Sequence, residues 1–254
     1  MTLLDKSRIA DELSRWELVY FDEVDSTNAF LMLQQNPVNM LCTAESQTAG
    51  RGRRSRVWIS PHARSLSISL GWSTARSAQE LGAVSLVVGV AVAETLQQLG
   101  AMEIGLKWPN DVHLEGFKLC GILVELKSTA VPACLIIGFG VNVDLTEEEI
   151  SVVNQPVTDL KRVGAGADRT SVLIDLVNAV TKALEEYEAL GLTPFMGRFN
   201  ALHTYHGRRV NLIQGQGVIS GRVLGIQRDG ALLLETETGA TPFYGGEVSL
   251  RPAD

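Results

Sequence analysis

Residues 49–58, AGRGRRSRVW, set Arg51, Arg53, Arg54 and Arg56 within six residues of a chain whose formal net charge is -7. Guanidinium groups roughly 6–10 Å apart repel by roughly 1–3 kcal/mol per pair at an effective dielectric near 20, so such a segment cannot be a packed core element. It must be a surface connection, and Gly50 and Gly52 give it the backbone freedom of a loop. The alternating run SLSISLGW at 65–72 follows almost at once, so the loop joins two core strands. Charge concentrated locally against the global trend has the composition of an anion site, because a bound anion relieves the repulsion. With no counter-charge in the segment, residues 49–56 are expected to stay disordered until such a ligand arrives.

Three other segments carry chemistry. In KWPNDV, from Lys107, the Asn110–Asp111 pair suits a tight turn between apolar runs, which is the bland reading; Lys107 and Asp111 at a strand end equally suit a polyphosphate and its magnesium. KLCGILVELK, from Lys118, reads as an apolar strand with an ammonium anchored at its start and Gly121 leaving room beside the backbone. Asp25-Ser26-Thr27-Asn28 opens a helix, where a capping side chain and free N–H groups also meet a polar ligand head group.

Taken in order, Ser26-Thr27-Asn28, AESQTAGRGRRSRVW (44–58), KWPNDV, KLCGILVEL, GFGVNV from Gly138 and GGEVSLR (245–251) resemble the biotin protein ligases, the biotin-[acetyl-CoA-carboxylase] ligases, over nearly the whole chain. The resemblance implies an α/β (α+β) fold: a mixed-sheet biotin/lipoate ligase-like catalytic domain over 1–206 and a small SH3-like β-barrel over 207–254. It implies activation of biotin with ATP and Mg²⁺ to biotinyl-5'-AMP, then transfer to a lysine of the biotin carboxyl carrier protein, the acetyl-CoA carboxylase subunit.

By the same resemblance Lys118, Arg53 and Arg51 are the catalytic cations. Ser26, Thr27, Asn28, Gln47, Arg51, Gly52, Arg53, Lys118 and Gly121 surround biotin. Arg53, Arg56, Trp58, Lys107, Asn110, Asp111, Lys118, Asn142 and Arg251 surround ATP, with Asp111 as the magnesium carboxylate and Trp58 chiefly a packing residue. Arg251, with Glu247, either reaches the nucleotide or ties the domains together. Two positions depart from the family pattern: Ser55 replaces a third loop glycine, and Val157 stands where relatives place an aromatic over adenine. About 25 residues precede Ser26, too few for a helix-turn-helix, so no DNA binding is expected. A weak or ligand-linked homodimer is compatible with the family.

Composition agrees. A length of 254 residues with 45% hydrophobic content allows one to two domains with a packed core. Acidic residues break up the N-terminus, so no secretory leader is read, and a cytoplasmic setting is expected. The uncharged stretch Leu81–Ala93 is shorter than the ~18 residues of a membrane span and reads as a buried helix. Cys42, Cys120 and Cys134 sit in apolar runs as buried thiols, and His203 with His206 as structural residues. Patterning predicts helices near 6–15, 26–34, 78–99, 170–190 and 194–205, strands near 18–21, 40–46, 65–72, 118–127 and 133–143, and a mobile loop over 147–168. Short glycine-punctuated strands after residue 207 predict a small antiparallel barrel. Two competing readings share some of these features: a lipoate or octanoate ligase or transferase of the same superfold, and a non-catalytic anion- or RNA-binding module.

Overall fold

The strand Ala133–Asn142, ACLIIGFGVN, is buried at every position, the signature of a strand covered on both faces. In the computed structural model, which describes residues 2–128, 132–165, 168–215, 217–245 and 248–253, it lies in the middle of a seven-stranded sheet. The strands are β1 (Glu17–Val24), β2 (Met40–Gln47), β3 (Ser65–Thr74), β4 (Ile104–Lys107), β5 (Asp111–Leu114), β6 (Phe117–Ser128) and β7 (Ala133–Asn142), in the order β1-β2-β3-β7-β6-β5-β4. Only β1 and β2 run parallel, joined across α2 (Thr27–Leu33); every other neighbour is antiparallel.

Strand period decides what each face can hold. Leu135, Ile137, Phe139 and Val141 of β7, with Leu66, Ile68, Leu70 and Trp72 of β3, enter the main core. There they join α1 (Lys6–Glu12), α3 (Val84–Gln98), α5 (Arg169–Leu190) and α6 (Thr193–Leu202). The alternate positions are Ser65, Ser67, Ser69 and Gly71 on β3 and Gly138 and Gly140 on β7. That second face is covered only in part by α2, through Leu31 against Met40, Cys42 and Ile136. The rest is small, polar and available for a site.

A second sheet follows: β8 (Arg209–Gln214), β9 (Gly217–Ile226), β10 (Leu232–Thr236), β11 (Gly239–Phe243) and β12 (Val248–Pro252), antiparallel in the order β11-β10-β9-β8-β12. It shares the main core through Val210, Leu212, Val223, Leu232, Leu234 and Leu250. Trp108 Nε1 donates to the Gly230 carbonyl at 3.1 Å, and the Ile226 amide to Asn200 Oδ1 at 3.2 Å. A Cβ on Gly230 would sit 3.2 Å from Ala83, so this contact is also set by backbone approach.

The elements agree with the patterning except at their ends and in one segment. Helix α1 stops at Glu12 and α6 at Leu202, and α3 starts after a 3-10 turn at Leu81–Ala83. The segment expected to be a mobile loop is instead built by side-chain caps. Thr146 and Glu149 form a capping box on α4 (Glu147–Ser151), and Asp159 caps the 3-10 turn Leu160–Val163. Val157 pairs with Lys118 as an added bridge on β6. Such order leaves no hydrophobic period to read; residues 166 and 167 lie outside the described residues. By length and composition the span Leu81–Gln98 could cross a bilayer, and 67% of it is buried inside the fold. The three cysteines are free and buried, and burial pushes the Cys42 thiol up to about 12.

His203 ends α6 and pairs its backbone with Leu106 of β4. It is 5% exposed and stacked on Phe199 at 5.3 Å, and neither ring nitrogen has a partner among the described residues. Burial pushes its pKa down to about 3. The unfolded chain then binds the extra proton between about 6.5 and the folded value, so stability is lost as pH falls through that window. Denaturant titrations of wild type should lose up to roughly 1.4 kcal/mol per pH unit from this group below about pH 6.5, and His203→Leu should remove that component. An unchanged pH slope in the variant would contradict it.

Candidate active site

A cavity of about 870 Å³ opens on the serine and glycine face of the large sheet. Its inner end is uncharged and polar. Ser26, Thr27 and Asn28, all buried, begin α2, where Ser26 Oγ caps the helix by accepting from the Ala29 amide. The Thr27 amide and hydroxyl donate to Gln47 Oε1 at 2.9 and 3.2 Å. Ser69 Oγ lies 2.8 Å from Thr27 Oγ1 and 2.5 Å from Asn28 Oδ1. Asn28 Nδ2 donates to the Leu123 carbonyl at 3.2 Å and to Glu125 Oε2 at 3.0 Å. These bonds fix which way each amide and hydroxyl points, which suits recognition of a small polar head group without net charge. A Cβ at Gly138 would lie 2.0 Å from Asn28 Oδ1, so glycine is required for Asn28 to sit there.

The floor is a glycine pair. Gly121 of β6 and Gly140 of β7 are register partners, and the Trp58 indole rests on both. A Cβ at Gly140 would lie 2.5 Å from Trp58 Cε2, and one at Gly121 would lie 3.2 Å from Cζ3. Lys118 Nζ is 5.7 Å from the indole centroid, within cation–π range. Trp58 therefore joins the floor to the central lysine.

The outer end is cationic. Lys118 Nζ pairs with Asp111 Oδ1 at 2.8 Å, and Asp111 is the one carboxylate among the described wall residues. Lys107, Arg53, Arg54, Arg56 and Arg251 also line this end, and Arg51 lines the cavity from the same loop. Burial, then the charge of Arg251, lowers the Lys107 pKa; burial, then Arg54, lowers that of Arg53. Arg53 Nη1 donates to Asn110 Oδ1 at 3.1 Å, while Asn110 Nδ2 is held by the Ile122 carbonyl at 2.8 Å. Asp111 beside this cluster fits a magnesium ion held by one carboxylate plus substrate phosphates.

The arginine loop differs from the expectation of an uncompensated segment. Its counter-charge is remote in sequence: Arg51 pairs with Glu125 of β6. The Gly52 amide donates to the Arg56 carbonyl at 2.8 Å and the Trp58 amide to the Gly50 carbonyl at 2.9 Å, folding residues 50–58 into a flap. Gly50 has no room for a side chain, since its Cβ would lie 2.3 Å from the Trp58 carbonyl oxygen. Within the turn at Arg53–Ser55 the left-handed backbone falls on Arg54 (φ 58°, ψ 41°), not on Ser55.

All but one of the residues named from the sequence for the small molecules line this cavity. Asn142 does not: it is 3% exposed, and its Nδ2 is spent on the Thr158 carbonyl at 3.0 Å, behind the wall. There it holds the strap 152–158, whose residues 152–156 cover the outer end. Val157 is fixed on that strap by its backbone bridge to Lys118. Arg251 does reach the wall, and Glu247 lies outside the described residues. Sequence reasoning missed Ser67 and Ser69, although their alternation in SLSIS was the available signal. It also missed His113, a buried wall residue whose pKa burial lowers to about 4.

Comparison with known proteins follows the same division. The Biotin/lipoate A/B protein ligase family matches residues 19–142, and the Biotin protein ligase C terminal domain matches residues 205–251. The bifunctional ligase/repressor BirA of Escherichia coli (strain K12) is 39% identical over 99% of this chain and 79% of its own length. The biotin--[acetyl-CoA-carboxylase] ligase of Mycobacterium tuberculosis is 33% identical over 75% of this chain and 78% of its own. The biotin protein ligase of Aquifex aeolicus, solved in complex with biotin and ATP, superposes with a TM-score of 0.81 at 32% identity, covering 93% of this chain and 99% of that one. By these relationships, the chain belongs to the biotin protein ligase family.

Proposed function

We propose that this protein activates biotin with ATP to biotinyl-5'-AMP and transfers the biotinyl group to a lysine of a biotin carboxyl carrier domain of acetyl-CoA carboxylase. The observation that carries the reading is the sorting of one cavity into an uncharged polar end and a cationic end, with Lys118 where the two meet. In this reading Ser26, Thr27, Asn28 and Gln47, with Ser69, hold the ureido ring of biotin, and Gly121, Gly140 and Trp58 flank its body.

A biotin carboxylate oxygen attacks the α-phosphorus and the bond to the β-phosphate oxygen breaks, giving the mixed anhydride and pyrophosphate. Negative charge grows on the phosphoryl oxygens and the leaving group, and fixed cations stabilise it without reorganisation. Lys118 lies between the carboxylate and the α-phosphate and neutralises both. Arg51, Gly52 and Arg53 close over them from the loop, and Arg56, Lys107, Asn110 and Arg251 accompany the outer phosphates and ribose. Asp111 would hold magnesium with the phosphates, where the ion supplies further charge neutralisation. In the second half-reaction the acceptor lysine amine attacks the anhydride carbonyl and AMP departs, with no covalent bond to the enzyme. We place the boundary between catalytic and C-terminal domains at 206/207, just before β8, and the shared core makes the second sheet a support for the outer end.

Incubation with biotin, MgATP and a carrier domain, read by streptavidin blot, should give ATP-dependent labelling; an unlabelled carrier, together with pyrophosphate exchange that lipoate supports and biotin does not, would overturn the assignment. Lys118→Ala should lower biotin-dependent pyrophosphate exchange by about 100-fold or more, on the scale of removing a preorganised electrostatic donor. Exchange at the wild-type rate would remove Lys118 from the chemistry. Gly140→Ala should lift Trp58 off the floor and raise the KM for biotin about 10-fold, since misplacement of a substrate-positioning group by about 1 Å costs that much or more; an unchanged KM would contradict the floor.

A further inference from the structure

Glu125 belongs to none of the residues assigned above, yet its carboxylate joins two of them. Along β6, positions 121, 123 and 125 point to the cavity face, and at about 3.3 Å of rise per residue Glu125 stands roughly 13 Å beyond Gly121, at the rim of the uncharged end. Its two oxygens are divided. Oε2 accepts from Asn28 Nδ2 at 3.0 Å, and Oε1 pairs with the Arg51 guanidinium. The loop is thus fastened at two places: Arg51 to Glu125 beside the uncharged end, and Arg53 to Asn110 beside the cationic end.

We propose that Glu125 is a positioning residue: it clasps the arginine loop over the uncharged end of the cavity and fixes the Asn28 carboxamide, so that occupancy of that end and closure of the loop are coupled. The proposal deepens the biotin and ATP reading of the cavity and rests on it. The division of labour needs a carboxylate. A glutamine would present one acceptor oxygen and an NH₂ donor, so it could not accept from Asn28 and Arg51 on separate oxygens. The Asn28 contact orients the amide with Oδ1 toward Ser69 and Nδ2 toward β6. The Arg51 contact supplies the negative charge that the loop's own sequence lacks.

The test begins on the free protein with limited trypsin digestion at the loop arginines. Glu125→Gln should speed cleavage there about fivefold, the factor expected for losing a partly exposed ion pair. Arg51→Ala should speed cleavage after Arg53, Arg54 and Arg56 equally, and the double variant should be no faster than either single one. This arm uses no ligand, so it stands or falls apart from the biotin reading. Wild-type cleavage rates in both single variants, or accelerations that multiply in the double variant, would overturn the clasp. Should Glu125→Gln melt before digestion, Arg51→Ala carries the test alone, because it leaves the Glu125–Asn28 bond intact. A second arm loads each enzyme with biotinyl-5'-AMP. Glu125→Gln should release the adenylate about fivefold faster while its KM for ATP stays within about twofold; wild-type release, or a rise in the KM for ATP alone, would overturn the coupling.

Discussion

The structure turns on the gathering of cationic side chains around one cavity with a single carboxylate among its described wall residues. Lys107, Lys118, Arg53, Arg56 and Arg251 converge from a hairpin, a strand start, a loop and the last strand of the second sheet. Burial first, and then the charge of a neighbouring arginine, lowers the pKa values of Lys107 and Arg53. Asp111 offsets part of the positive charge through Lys118, and Glu125 offsets Arg51 at the rim. The remaining excess is what a polyphosphate and a carboxylate relieve when they arrive together.

Such a cluster needs a rigid frame with room above it, and the alternation of β3 and β7 supplies both. One face of each strand sends Leu, Ile, Val, Phe and Trp into the helical core, while the other shows serine and glycine. Replacing side chains by glycine at 121, 138 and 140 sinks the floor by about the depth of a Cβ, so Asn28 and Trp58 sit against backbone. The second sheet extends the frame: its shared core and the Trp108–Gly230 bond bring Arg251 to the outer wall.

Much of this was legible in the sequence, because it is local. The loop arginines, the Asn110–Asp111 turn, Lys118 at a strand start and the Ser26 cap each lie within a few residues of the pattern that reveals them. Periodicity gave most strands and helices to within a few residues. What stayed hidden depends on distant partners. Glu125 is 74 residues from Arg51, and the buried Glu45–Arg169 pair that ties α5 to β2 spans 124. The strap at 152–158 and the capped turns on either side of it are ordered by caps and one backbone bridge, with no hydrophobic period to announce them. The left-handed residue of the loop is Arg54, whereas glycine chemistry pointed to position 55. Asn142, expected at the nucleotide, shares the strand face of Gly138 and Gly140, yet its amide is taken up by the Thr158 carbonyl, 16 residues away in sequence.

The arginine loop is folded by its own backbone bonds into a cover for the cavity, and amide hydrogen exchange measures that most directly. The Gly52 and Trp58 amides, bonded to the Arg56 and Gly50 carbonyls, should exchange at least about 10-fold slower than an unstructured loop, with further protection when biotinyl-5'-AMP is bound. Exchange of both amides at the unstructured rate in the free protein would contradict it.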